Sequence, residues 1–337
     1  MHIGAQSKAA GETMGDGTRA RVTIAVGAAV VLAAVAVGYA ALARTDGDAA
    51  AAYAGRVSLA PGPRLLTVTD RHLALADAAD PDGPRSVSPV ECLRAYAATG
   101  TGVCLRPTDP WSNELVVLDA DLKPKRAFAI PGQPNRARVS PSGRMVAWTT
   151  FVGGDSYAAG GFSTRTGIVD TATGVTVMSL ESFAITRDGK PYRNVDVNYW
   201  GVTFARDDNT FYATLGTGGK RYLVRGDWAA RRVVTLKANV ECPSLSPDGT
   251  RIAFKEAAGG DPARGWRLSV LELASMRVTA TAETASVDDQ AAWLDDRTLA
   301  YTLRRDDGRP DVYAVPADGT GAPHLMVPGA ESPSSLR

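Results

Sequence analysis

Four short polar stretches hold most of the side chains that could do chemistry in this sequence: Pro134-Asn135-Arg136-Ala137-Arg138, Asn194-Val195-Asp196-Val197-Asn198-Tyr199-Trp200, Asn239-Val240-Glu241 and Ser286-Val287-Asp288-Asp289-Gln290. Each leads into an apolar run of the kind that forms a strand. If the four stretches converge, Arg136, Asp196, Asn198, Trp200, Glu241, Asp288 and Asp289 line one concave mouth. There Trp200 offers an aromatic face for packing, and the mixed charges orient a ligand. The acids are also oxygen donors of the type calcium takes. Ordinary solvated loops account for many such residues with no ligand at all.

Covalent catalysis has little to work with. Gly161-Phe162-Ser163-Thr164-Arg165 lacks the second glycine of a G-x-S-x-G elbow. Of the three histidines, only His72 and His324 lie beyond the N-terminal apolar segment, in stretches that read as outer strands or turns. No CxxC or Cys/His cluster suggests zinc. The glycine pairs of VGGDSYAAGGFS are not followed by lysine or Ser/Thr at phosphate-loop spacing, so the segment reads as a long hairpin loop around Ser156 and Tyr157. No catalytic residue is assigned and no cofactor is expected. Lys+Arg 37 against Asp+Glu 36 leaves a net charge of +1, which gives no field to gather nucleic acid.

The elements that must position these residues are set by a repeat. Leu245-Ser246-Pro247-Asp248-Gly249-Thr250-Arg251-Ile252-Ala253-Phe254 echoes Val139-Ser140-Pro141-Ser142-Gly143-Arg144-Met145-Val146-Ala147-Trp148. Weaker copies begin at Phe204 and Trp293, and a degenerate one at Tyr96, at intervals of roughly 43, 65, 41 and 48 residues. Each copy is strand, tight turn, strand: Pro presets φ, Asp bonds the backbone ahead, and Gly supplies φ > 0. A third and fourth strand follow each hairpin in LVVLDADLKPKRAFAI, TGIVDTATGVTVMSL, RYLVRGDWAARRVVTL, WRLSVLELASMRVTAT and DVYAVPADGTGAPHLMV. With RLLTVTDRHLALADAADPDGPRSVSP as a first unit, the pattern predicts an all-β, six-bladed β-propeller over residues 56–337. Ser332-Pro333-Ser334-Ser335-Leu336-Arg337 resembles the start of another inner strand and would pair beside the first blade, removing an open edge.

The SPDG turns, the xxxVxDxxTG third strands and the count of six resemble the TolB-like propeller family, whose repeat is shared by the propeller halves of prolyl-oligopeptidase-type peptidases. The likeness covers nearly all of residues 56–337. The whole chain is also similar to TolB-like translocation proteins of high-GC Gram-positive bacteria, which place a membrane anchor ahead of the propeller. It departs from the periplasmic members, which carry an α/β domain where this chain has its apolar segment, so their Tol–Pal role is not carried over. The family's architecture serves protein binding, sugar binding and hydrolase gating alike.

Ahead of the propeller, residues 22–43 hold no charge and no proline, and about 22 residues at 1.5 Å each span a bilayer core of about 30 Å. Lys8, Arg19 and Arg21 precede the segment, whereas Asp46 and Asp48 follow it. The expectation is a single-pass membrane protein: residues 1–21 a cytoplasmic tail, 22–43 a transmembrane helix, 44–55 a tether, and the propeller extracytoplasmic. A cleaved signal peptide is the rival reading, since Ala41-Leu42-Ala43 fits the small-x-small pattern, but the run exceeds the usual ~7–15 apolar residues.

An exported domain makes the three cysteines matter. Cys92 and Cys104 flank two apolar runs around Thr99-Gly100-Thr101-Gly102, so hairpin pairing would bring them within disulfide reach; the alternative is two buried thiols. Cys242 reads as a small buried hydrophobe rather than a reactive group. The functional expectation is a non-catalytic envelope module that binds a protein or glycan partner. Its rival is a metal-dependent propeller enzyme, lactonase- or sugar-dehydrogenase-like, using axial carboxylates.

Overall fold

The computed structural model describes residues 56–153 and 163–337. Residues 1–55, with the expected tail, membrane helix and tether, lie outside them, as does the loop segment around Ser156 and Tyr157. Among the described residues no helix is long and apolar enough to cross a membrane.

Six sheets, antiparallel apart from one added strand in blade four, make up the described chain, with only three short 3-10 turns beside them. Their innermost strands are Glu331–Ser335, Arg94–Ala98, Gln133–Val139, Asn198–Phe204, Glu241–Leu245 and Ala292–Trp293, taken from blade one to blade six. Each touches the next and the sixth touches the first, so the ring closes. The expected six-bladed propeller is what forms.

The last strand belongs to the first blade. Ser335 pairs with Leu65, Ser334 with Leu66 and Glu331 with Val68, and Leu336 N–H donates to Arg64 O at 3.0 Å. The expected C-terminal strand therefore supplies the innermost strand of blade one, beside Arg64–Thr69, His72–Asp77 and Ser86–Glu91.

The turn chemistry read from the repeat is present in detail. Gly249 sits at φ +73°, Asp248 accepts the N–H of Thr250 at 2.9 Å, and Ser246 Oγ accepts that of Arg251 at 3.0 Å. In blade three the arginine after the turn reaches the aspartate of the third strand: Arg144 Nε and Nη2 meet the two Asp170 oxygens at 2.9 and 2.7 Å. The repeated Arg and Asp thus tie two adjacent strands of one blade together.

Blade four departs from four strands. The long interval before it contains a 3-10 turn, Leu180–Ser182, and a hairpin, Ala184–Arg187 with Lys190–Tyr192, which adds in parallel to Arg232–Ala238 and makes a six-stranded sheet. Phe183 anchors the addition, lying edge-on to Phe211 with ring centroids 5.9 Å apart.

Cys92 and Cys104 are bridged, with Cα atoms 5.4 Å apart. They do not face each other across the hairpin, because the register pairs Cys104 with Ala95. Cys92 sits ahead of Arg94–Ala98, its N–H bonded to Arg71 O, so the bridge ties the crossover from blade one to the second strand of blade two.

Two outcomes follow from this framework. Mass spectrometry of the denatured, unreduced protein should find one alkylatable thiol, Cys242, and the Cys92→Ala/Cys104→Ala double variant should lose about 3 kcal/mol in urea unfolding, as a loop of this length implies. The Arg144 guanidinium holds the Asp170 carboxyl well below the usual carboxylate range. Because the folded state depresses this group, its contribution is full at neutral pH and is lost as pH falls through and below the ordinary carboxylate range. Asp170→Asn should cost about 2 kcal/mol at neutral pH and flatten the acid limb of the stability curve.

Candidate functional site

Every inner strand runs from a crossover loop on one face of the propeller to a hairpin turn on the other, and the polar stretches all lie on the crossover face. A bulge after Pro134 in blade three shifts the register, as does another between Glu241 and Ser244 in blade five. Arg136 finds its partner in another blade, whereas Glu241 is shared between Lys255 of its own blade and Arg221 of blade four. Arg136 Nη2 donates to Asp288 O at 3.2 Å and stands 3.8 Å from the Asp288 carboxylate. Lys255, from the second strand of blade five, pairs with Asp288 and lies 3.6 Å from Glu241, whose other oxygen is 2.5 Å from Arg221 Nε.

Four of the seven expected residues are thereby joined. Arg136, Asp288 and Asp289 border a cavity of about 460 Å³ with Arg94, Arg304 and Glu331. Glu241 lies beneath it, reached through Lys255. Asp289 is spent on backbone, accepting the N–H groups of Gln290 and Thr302 at 2.8 and 2.9 Å. Glu331 holds both Arg94 and Arg304, the latter at 3.0 Å.

The other three fall elsewhere. Asp196 accepts Thr217 Oγ1 and Gly218 N–H, each at 2.6 Å, and Asn198 accepts Thr164 N–H at 3.0 Å while donating to Asp196 O at 3.2 Å. Asp196 thus fixes a turn of blade four, and Asn198 ties blade four to blade three. Trp200, expected as an exposed aromatic face, is 7 % exposed and lies against Gly216, where any side chain would strike its ring. It is core, because the inner-strand pleat turns it away from the axis opening.

The missed residues come from the inner strand of blade two (Arg94), the closing strand (Glu331), the second strands of blades five and six (Lys255 and Arg304) and the third strand of blade four (Arg221). Trp111 was also missed. At 93 % exposed it caps the tip of the hairpin between Thr101–Asp109 and Ser112–Leu118, on the crossover face. The signal was available in Asp109-Pro110-Trp111-Ser112, a turn sequence in which no strand can bury the indole.

Burial raises the Glu241 carboxyl, with Lys255 and Arg221 only partly offsetting it. Burial also raises Asp288, but there Lys255 and then Arg136 outweigh it and hold the group below its ordinary value. The buried Cys242 thiol is pushed up, so it is a poor nucleophile. Among the described residues no group of three or more His, Cys, Asp or Glu is placed to hold a metal ion.

The comparisons agree with this architecture. No family model matches the chain. A TolB homolog from Chlorobium luteolum is 36% identical over 78 residues, which is 23% of this chain and 16% of that relative's length. The crystal structure of TolB from Acinetobacter baumannii superposes with a TM-score of 0.59 at 16% identity, covering 82% of this chain and 67% of that one. The chain folds as a TolB-like six-bladed propeller. A putative TolB from Agrobacterium tumefaciens aligns over 81% of this chain and 94% of its own, at 12% identity and a TM-score of 0.48. At the axis of this TolB-like propeller, the Lys255-centred network joins blades three, four, five and six.

Lys255→Met should cost about 2 kcal/mol at neutral pH, since it leaves the buried Glu241 with Arg221 alone and Asp288 with Arg136 alone. Glu241 binds its proton more readily folded than unfolded, so acid relieves the defect rather than deepening it. Urea titrations at neutral and mildly acidic pH should show the gap to wild type narrowing on acidification; an unchanged gap would mean the network is worth little.

Proposed function

We propose that this chain is a non-catalytic binding module of the cell envelope, held at the membrane by residues 22–43 with its propeller outside, and that the crossover-face mouth receives a protein partner. One observation carries this reading: three arginines and three acids from blades one, two, three and six border a single cavity, with the side chains of Asp288 and Arg304 still 68% and 52% exposed. Such an arrangement orients a charged partner without a dedicated reactive group. Exposed Trp111 and Val195 on the same face add apolar contact area of the kind that anchors interfaces. The carboxylates nearest the axis are already paired with Lys255, Arg136 and Arg94, which favours electrostatic docking over metal chemistry.

A photo-crosslinker at Leu303 in the full chain, activated in native membranes, should trap an envelope protein. Arg304→Ala with Trp111→Ala should reduce the yield about tenfold while leaving the melting temperature nearly unchanged, because both side chains are largely solvated and Glu331 keeps Arg94 as its partner. Trp200 is unsuited to this test, since its removal would unfold the core. Undiminished trapping by the double variant would exclude this mouth and move attention to the loop around Ser156 and Tyr157. Trapping of a polysaccharide alone would make the partner a glycan and overturn the protein reading.

A further inference from the structure

The hairpin-turn face holds the larger of the two axial cavities. A space of about 770 Å³ is bordered by turns of blades two to six and by Ser335 and Arg337 at the end of the closing strand of blade one, within the range of small-ligand sites. Its walls include Tyr96, Phe204, Leu245 and Trp293. Its floor is Arg138, only 5 % exposed.

Arg138 is unlike every other cation along the axis. Its Nη2 donates to Ser244 Oγ at 3.1 Å, Gln290 O at 3.4 Å and Ala291 O at 2.5 Å, and the guanidinium lies 4.3 Å from the centroid of the Tyr96 ring. Nε has no acceptor although it is fully enclosed. Among the described residues no carboxylate forms an ion pair with it, whereas Arg136, two positions earlier, has Asp288. The acids at the cavity rim are engaged within the turns: Asp207 accepts Asn209 and Thr210 N–H, Asp248 accepts Thr250 N–H and pairs with Arg251, Asp295 accepts Arg297 and Thr298 N–H, and Asp296 accepts the N–H of Asp248 from the neighbouring blade. A buried guanidinium without a counter-charge is costly, and Arg138 borders a space whose apolar wall is formed by Tyr96, Phe204, Leu245 and Trp293.

We propose that this cavity binds a carboxylate carried on an apolar body, with the carboxylate against Arg138 and the body packed on Tyr96, Phe204 and Trp293. A planar guanidinium suits a carboxylate better than a spherical anion, because its delocalised charge and in-plane N–H donors match the carboxylate oxygens. The same chemistry is offered by a peptide C terminus and by a small carboxylic acid. The site lies at the opposite end of the axis from the crossover-face mouth and is independent of that mouth's role.

Isothermal titration of the full chain with 4-phenylbutyrate and with N-acetyl-leucyl-phenylalanine, each as acid and as amide, tests this directly. At least one acid should bind saturably and its amide about tenfold more weakly, the factor expected of one charge-assisted pair. Binding of the dipeptide acid alone assigns the site to peptide ends, and binding of phenylbutyrate extends it to small acids. Arg138→Gln should abolish the preference for acid over amide. Since loss of a buried arginine threatens folding, Ala205→Trp on the cavity wall gives a second reading: it should fill the space and weaken acid binding by a similar factor with Arg138 intact. Equal affinity for acid and amide, acid binding that survives Ala205→Trp, or no binding of either acid at millimolar concentration would overturn the proposal.

Discussion

The pairing of Glu331–Ser335 with Arg64–Thr69 is the constraint on which the rest of the propeller depends. A blade buries one face of its sheet only against its neighbours, so a ring with a gap leaves two apolar faces and two strand edges in water. Here the join is made by the two ends of the domain, which places the strand farthest along the sequence at the centre of the first blade. Ala97 N–H donates to Ser334 Oγ across the junction with blade two, and Arg94 pairs with Glu331 there. Closure and the crossover-face mouth therefore share residues: Glu331 is at once part of the closing strand and the anion that fixes Arg94 and Arg304.

Closing the ring brings six inner strands side by side, all running in one direction, and creates a polar problem at the axis. Each inner strand has its second strand on one side and the channel on the other, so the side chains pointing inward meet neither a sheet nor bulk water. The chain answers with long polar side chains that reach across the axis. Gln290 Nε2 donates to Val202 O and Pro243 O, Trp293 Nε1 to Ser244 O, and Arg138 to groups of blades five and six. These cross-axis bonds plug the channel at its waist and leave a cavity at each end.

The two ends differ in how their charges are settled. At the crossover face, cations and anions are matched through Lys255, Arg136, Arg94 and Arg304, and several of them remain accessible. At the turn face, the acids cap their own hairpins, a local role dictated by the SPDG chemistry, and Arg138 is left without a counter-charge. A repeat that spends its aspartates on turns thus leaves the buried Arg138 held by neutral groups alone.

Much of the fold was legible because its signals are local. Pro-Asp-Gly turns, two-residue alternation and the spacing of copies act within about ten residues, so residues 139–148 and 245–254 announce their hairpins unaided. The closing strand was legible for the same reason, since Ser332-Pro333-Ser334 repeats the opening of other inner strands. The disulfide partners were legible from sequence distance, but their placement was not: Cys92 belongs to a crossover whose path depends on Arg71 of the preceding blade. Trp200 and Glu241 read as mouth residues because they adjoin polar run-ins, yet which way a strand's pleat faces is decided by bulges such as that between Glu241 and Ser244. Lys255, Arg304 and Arg138 acquired meaning only when blades far apart in sequence were brought to one axis. By itself the sequence determined the strands, the turns, the number of blades and the closure, because short-range backbone chemistry specifies them. Only the tertiary structure decided which charges meet and which one is left alone, because that depends on side chains separated by up to 150 residues or more and set within a few ångströms of each other.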